Sequence, residues 1–367
     1  MRLVTFEVQS PVGPVRRSGA LLDDDGVADL ALARAAYLDS RGERAALRRA
    51  EQEVPTDLLE FLRADEPALE AAREAIAHVE SDGVEQWSVF PVRHAPEDVR
   101  LLAPLPRPTS LRNFSLIEAH LLAAIETLKK RVGGNAPAIS AIPAEWYKIP
   151  AYFKSSVEEI YGPEDDVPWP AFTDKLDYEF EIAAVIGRAG RGIAAGNAGA
   201  HIVGYTIYND WSARDFQQRE MSINLGPGIC KDFASSLGPC IATVDEFDRD
   251  AARLTARVNG DQWTDSRLTM RITFEEIIEW LTQALTIVPG DVISGGTIAG
   301  GCGVEFDRWI PEGAVVELEA AGIGVLRNRV GRKGVDVALP ASQRPHALLA
   351  PRAGISGSGV ERFAARD

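Results

Sequence analysis

Glu179 and Glu181 stand two residues apart in Leu176-Asp177-Tyr178-Glu179-Phe180-Glu181-Ile182-Ala183-Ala184-Val185-Ile186, and Asp210 follows about thirty residues later in Tyr208-Asn209-Asp210-Trp211-Ser212-Ala213-Arg214-Asp215. The first segment alternates with the period of a strand: Tyr178, Phe180, Ile182, Ala184 and Ile186 on one face, Asp177, Glu179, Glu181 and Ala183 on the other. Carboxylates that close repel, and each raises the other's pKa unless positive charge lies between them. A hard divalent cation ligated by carboxylate oxygens is the economical explanation. The plain alternative is a solvated acidic face on an antiparallel strand.

The elements around this segment must carry it. Leu3 to Val8 and Ser18 to Leu22 read as strands about the turn Pro11-Val12-Gly13-Pro14, and roughly Leu30 to Glu51 and Pro67 to Val79 carry helical periodicity. The proline-dense Leu102-Ala103-Pro104-Leu105-Pro106-Arg107-Pro108 cannot continue a helix, which places a boundary after a small N-terminal α/β domain at 1–103. Ser115-Leu116-Ile117-Glu118 has the capping-box spacing and predicts a helix running to about Arg131, stopped by Gly133-Gly134. From Leu176 the chain is strand-rich; Asn259-Gly260 predicts a hairpin turn, and Thr273-Phe274-Glu275-Glu276 caps a helix bearing Ile277, Ile278, Leu281 and Leu285. The core domain so defined spans 104–335. Residues 336–367 read as a flexible C-terminal tail, on the strength of Gly354-Ile355-Ser356-Gly357-Ser358-Gly359.

Composition narrows the function classes. With 367 residues, 46% hydrophobic and 25% charged, the chain has room for a sizeable core. A net charge of -15, from 54 acidic against 39 basic residues, argues against nucleic acid and anionic membrane as partners. Cys230, Cys240 and Cys302 show no CxxC spacing and read as buried structural thiols. The N-terminus lacks a signal-peptide core, and no apolar run is long enough to span a bilayer, which together assign a cytoplasmic location. The glycines of Gly192 to Gly199 lack the spacing of a dinucleotide loop.

Several blocks in order, DYEFEIAAVIGR, GYTIYNDWSARDFQ, the lysine of CKDFASSLGP, PGDVISGGT and GIGVLRN at Gly322 to Asn328, resemble the fumarylacetoacetate hydrolase family over roughly Leu111 to Val330. The resemblance implies an α+β, β-rich protein: a mixed β-sandwich roll housing a divalent metal, preceded by a small N-terminal domain and assembled as a homodimer. It places the metal ligands at Glu179, Glu181 and Asp210. Three carboxylates without cysteine or histidine suit Mg²⁺ first, with Mn²⁺ or Ca²⁺ as alternatives.

By the same resemblance Lys231 is the active-site lysine, and Arg214, Gln217, Thr297 and Tyr152 line the substrate side, with Arg214 alternatively a structural partner for a carboxylate. Arg112-Asn113-Phe114-Ser115-Leu116-Ile117-Glu118-Ala119-His120 resembles the family's R-D-F-x-x-F-E-x-H block, making His120 the general base, oriented by Glu305. Two positions depart from that block: Asn113 stands where many members have aspartate, and Ser115 replaces an aromatic hydroxyl. The implied activity is hydrolysis of a carbon–carbon bond in a small β-diketo or acylpyruvate-type acid. Decarboxylation, hydration and keto–enol isomerisation of a related β-keto acid use the same site. A metal-binding scaffold without catalysis is the reading from another class.

Overall fold

A computed structural model describes residues 1–11, 13–132, 141–223 and 225–343. The helix stop at Gly133-Gly134 and residues 344–367 of the expected tail lie outside the described residues. Residues 336–343 run along the body: Ser342 Oγ donates to the Glu158 carbonyl at 2.7 Å, and Gln343 Nε2 bonds the Glu159 carboxylate.

The protein is α+β and rich in strands. Among the described residues a 12-stranded sheet has at its centre the strands Ser235–Thr243, Ile202–Asp210, Phe180–Ile186, Asp291–Ser294 and Ser110–Phe114, in that order. The strands Arg2–Ser10 and Gly13–Leu21 extend it at one side, with Arg2 opposite Ala242 and Leu3 opposite Ile241. The boundary expected after residue 103 is therefore crossed by ladder hydrogen bonds.

A five-stranded sheet, containing Leu254–Val258, Val315–Ala320 and Gly324–Lys333, covers one face of the large sheet. Its Leu254, Val316, Leu318 and Leu326 share a core with Phe180, Ile182, Ala184 and Ile186. On the opposite face Ala183 and Val185 pack in a second core with Leu58, Phe61, Leu62 and Ala72 from the N-terminal helices. The Phe180–Ile186 strand is thus buried on both sides. This rules out the solvated acidic face: alternation separates the two faces but does not say what covers each one.

Local signals act where nothing competes with them. Asn259 and Gly260 take the left-handed angles of a tight hairpin turn (φ 53° and 83°), and Thr273 forms a full capping box with Glu276. The first helical stretch is instead split into Leu30–Ser40 and Ala46–Glu53, because Gly42 adopts φ 76° and turns the chain. The helix expected from Ser115 starts at Glu118. Leu116 is already committed to tertiary pairing, its amide to the Gly295 carbonyl and its carbonyl to the Arg271 amide, and the Ser115 carbonyl accepts from Trp146 Nε1. No helix among the described residues is long and apolar enough to cross a membrane.

Candidate active site

The acidic strand is interrupted where its chemistry lies. Leu176–Asp177 pairs with Ser212–Ala213, and the main ladder resumes at Phe180 opposite Asn209. Glu179 sits in the gap, its amide donating to Asn209 Oδ1 at 2.9 Å and its carbonyl accepting from the Asp210 amide at 3.1 Å. Glu179, Glu181 and Asp210, respectively 6%, 1% and 0% exposed, each bring a carboxylate oxygen within 4.8 Å of the other two.

Positive and polar groups surround this cluster. Lys231, buried in the short helix Ile229–Asp232, donates from Nζ to Glu179 Oε2 at 2.5 Å and Asp210 Oδ2 at 2.6 Å. Arg214 Nη1 lies 2.7 Å from Glu179 Oε1, and its Nε donates to Asp177 Oδ2 at 2.9 Å. Asn113 Nδ2 donates to Asp210 Oδ2 at 2.8 Å and Glu181 Oε1 at 3.2 Å. Ser294 Oγ and Thr297 Oγ1 donate to the two oxygens of Glu181. The turn that carries them passes through Gly296 (φ 101°), where a Cβ would lie 2.4 Å from the Phe114 carbonyl oxygen.

Four buried carboxylates, counting Asp177, face two buried cations, so that with all four ionised the cluster is two positive charges short of neutrality. The surroundings act on each carboxyl differently. Burial alone would raise the Glu179 carboxyl, but Lys231 and Arg214 outweigh it and hold the group below the usual range. Glu181 is pushed well up by burial and by the charges of Asp210 and Glu179. Asp210 is pushed up to about 7, because burial and Glu179 outweigh the opposing pull of Lys231. Asp210 Oδ1 is buried with no hydrogen-bond partner. A divalent cation supplies both the missing charge and a partner for that oxygen, and an all-carboxylate donor set suits a hard ion. The residues fit such a metal.

The second group adjoins the first. His120, in the first turn of the helix Glu118–Val132, has Nδ1 2.9 Å from Glu305 Oε1. Glu305 is held in turn by the Gly300 amide on Oε2 (2.8 Å) and by Thr127 Oγ1 on its carbonyl (3.0 Å). Cys302 Sγ is 3.4 Å from Glu305 Oε1, and a β-bridge joins Cys302 to Glu179. His120 lies close enough to Glu179 that the imidazolium, when formed, favours the ionised carboxylate.

The residues expected on the substrate side are placed less uniformly. Gln217 accepts from Arg214 Nη1 at 3.1 Å, and Thr297 is engaged with Glu181. Tyr152 packs its ring 4.9 Å from that of Phe114. Arg214 serves as the carboxylate partner that was its alternative role, yet its Nη2 is buried without a hydrogen-bond partner. Three members of the site had no site role from sequence: Asp177, Ser294 and Cys302, the last read only as a buried structural thiol. Only Asp177 had a signal, since it alternates in phase with the glutamates.

The fold and this site define an enzyme family built around buried carboxylates. Residues 123–331 match the family profile described as "Fumarylacetoacetate (FAA) hydrolase C-terminal", and the chain belongs to the fumarylacetoacetate hydrolase family. It is 32% identical over 281 residues to the human "Oxaloacetate tautomerase FAHD2A, mitochondrial", covering 76% of this chain and 80% of that protein. Among solved structures it resembles a fumarylacetoacetate hydrolase from Exiguobacterium antarcticum (25% identity, TM-score 0.62, 90% of this chain and 99% of that one). It also resembles 5-carboxymethyl-2-hydroxymuconate delta-isomerase from Mycobacterium smegmatis (25% identity, TM-score 0.59, 91% and 100%). The profile match begins after Asn113 and His120, whereas the structural likeness spans most of the chain.

Proposed function

We propose that this protein is a metal-dependent keto–enol tautomerase or isomerase of a small β-keto acid of the oxaloacetate type. The observation that carries the reading is the His120–Glu305 pair beside the Glu179, Glu181 and Asp210 cluster. The names of the tautomerase and isomerase relatives support proton transfer over bond cleavage.

Glu179, Glu181 and Asp210 would hold the cation, Mg²⁺ by donor type, which when bound polarises substrate oxygens as a Lewis acid. Glu305 accepts the Nδ1 proton of His120, which fixes the tautomer and leaves Nε2 as the proton acceptor. In the keto-to-enol direction Nε2 removes the proton from the carbon beside the ketone, and Glu305 stabilises the imidazolium that forms. Lys231 uses two of its three N–H groups on Glu179 and Asp210; the third is a donor for the ketone oxygen as negative charge grows there. The proton then passes to that oxygen, completing the enol. Arg214 Nη2, buried and unpaired, is the donor for a substrate carboxylate. Gln217, Thr297 and Tyr152 complete the substrate side in this reading.

A second reading, hydrolysis of a carbon–carbon bond, draws on the same His120–Glu305 pair, which is equally suited to activating water. Two assays separate them. With Mg²⁺ present, the tautomerase accelerates decay of the oxaloacetate enol absorbance, and chelator or Glu181→Gln abolishes the effect. Cleavage of acylpyruvates without enol decay would establish the hydrolase instead. No turnover of either, with weak cation binding, would leave a scaffold. A homodimer and a cytoplasmic location belong to this reading as well. Light scattering and cell fractionation check them, the latter pointedly because the human relative is named mitochondrial.

A further inference from the structure

Beside the carboxylate cluster stands a second set of donors of different chemistry. His120 Nδ1, Cys302 Sγ and Glu305 Oε1 form a triangle with edges of 2.9 Å (N to O), 3.4 Å (S to O) and 3.7 Å (S to N). A tetrahedral Zn²⁺ with bonds of about 2.0–2.3 Å spaces nitrogen, oxygen and sulfur ligands about 3.3–3.6 Å apart. The observed edges bracket that spacing, so the three atoms already outline one face of a zinc tetrahedron.

The donors are also fixed in advance. The Gly300 amide occupies Glu305 Oε2 and turns Oε1 toward the other two; Thr127 pins the Glu305 backbone; the bridge to Glu179 holds Cys302. Little conformational freedom is left to lose when an ion arrives. The proton transfer described above employs His120 and Glu305 but has no use for the buried thiol. A mixed nitrogen, sulfur and oxygen set selects softer ions than the all-oxygen cluster next to it.

We infer that His120, Cys302 and Glu305 form a second metal site, selective for Zn²⁺ and similar borderline-soft divalent ions, and that its occupation switches the enzyme off. On binding, the Cys302 thiol proton leaves to solvent and a sulfur–zinc bond forms. The metal takes Nδ1 of His120, so the ring's proton moves to Nε2 and the proton acceptor disappears. The inhibition rests on the role proposed for His120; the binding does not.

Co²⁺ tests the binding as a spectroscopic stand-in for Zn²⁺ on the full chain saturated with Mg²⁺. A near-ultraviolet thiolate-to-cobalt band should appear, be displaced by Zn²⁺, persist in Asp210→Asn and vanish in Cys302→Ser and Cys302→Ala. Zinc affinity, read by competition, should fall at least about tenfold in either cysteine variant. Absence of the band from the unaltered protein overturns the site, whatever the variants do. A band undiminished in both cysteine variants overturns it too, by assigning the thiolate to another cysteine. In the Mg²⁺-supported assay Zn²⁺ should inhibit, and each cysteine variant should need at least about tenfold more of it. A band without inhibition keeps the site and refutes the role given to His120.

Discussion

Asp177 accepts from Arg214 Nε at 2.9 Å with the same carboxylate that receives the amides of Gly303 at 2.7 Å and Val304 at 3.0 Å. One fully buried side chain therefore ties the arginine facing Glu179 to the turn Gly303–Phe306 that presents Glu305. Both halves of the site are indexed to each other through it.

Replacing Asp177 tests that linkage. Asp177→Ala removes the acceptor of Arg214 Nε and of two amides, leaving Glu179 as the arginine's remaining ion-pair partner, and breaking a buried pair costs about 3–5 kcal/mol. The unfolding midpoint in urea should drop accordingly. Asp177→Asn keeps one acceptor oxygen and should be milder in stability, while still lowering activity because Arg214 loses one of its two carboxylate partners and keeps only Glu179 and Gln217.

Cation binding should depend on pH in a defined direction. Below about 7 Asp210 carries a proton in the metal-free protein, and Glu181 is likewise raised by burial and neighbouring charge. A cation must displace those protons, so Mg²⁺ affinity should rise as pH increases through 7 and flatten once both groups are ionised. Calorimetry in buffers of different ionisation enthalpy should count protons released per Mg²⁺ bound; no release at pH 6 would contradict the assignment.

His120→Ala should lower the rate about 10²–10⁴-fold, the usual worth of a positioned acid–base group. Glu305→Gln should lower it less and shift the pH–rate profile, because an amide does not stabilise the imidazolium. Neither change touches a cluster carboxylate, so Mg²⁺ affinity measured by calorimetry should be nearly unaltered.

Asn113→Asp separates metal-loaded from metal-free stability. Asn113 now donates to Asp210 and Glu181; an aspartate there loses those bonds and adds a fifth buried carboxylate. The metal-free protein should be less stable by on the order of 2 kcal/mol. Mg²⁺ should bind more tightly and reverse the loss. Thermal melts with Mg²⁺ and with chelator read both effects, and a variant equally stable in both conditions would sink the expectation.

The sequence by itself determined what is local. A two-residue period is a property of extended backbone, so Glu179 and Glu181 could share a side even though the ladder breaks at Glu179, and the Asn259-Gly260 turn and Thr273 cap needed only their own neighbours. The order of the motif blocks was enough to expect His120, Lys231 and Glu305 at one site, and the structure brings His120 to Glu305 and Lys231 to Glu179.

Only the tertiary structure decided how those charges are balanced. Burial on both faces, the reach of Lys231 to Glu179 and Asp210, the bracing of the site by Asp177, and the place of Cys302 beside His120 all join residues far apart in the chain. So does the loss of the Ser115 cap, where tertiary hydrogen bonds to Leu116 outcompeted a local one. Desolvation and Coulomb energy depend on distances through space, and a carboxylate's surroundings are set by which elements pack against it, a quantity that sequence spacing does not contain.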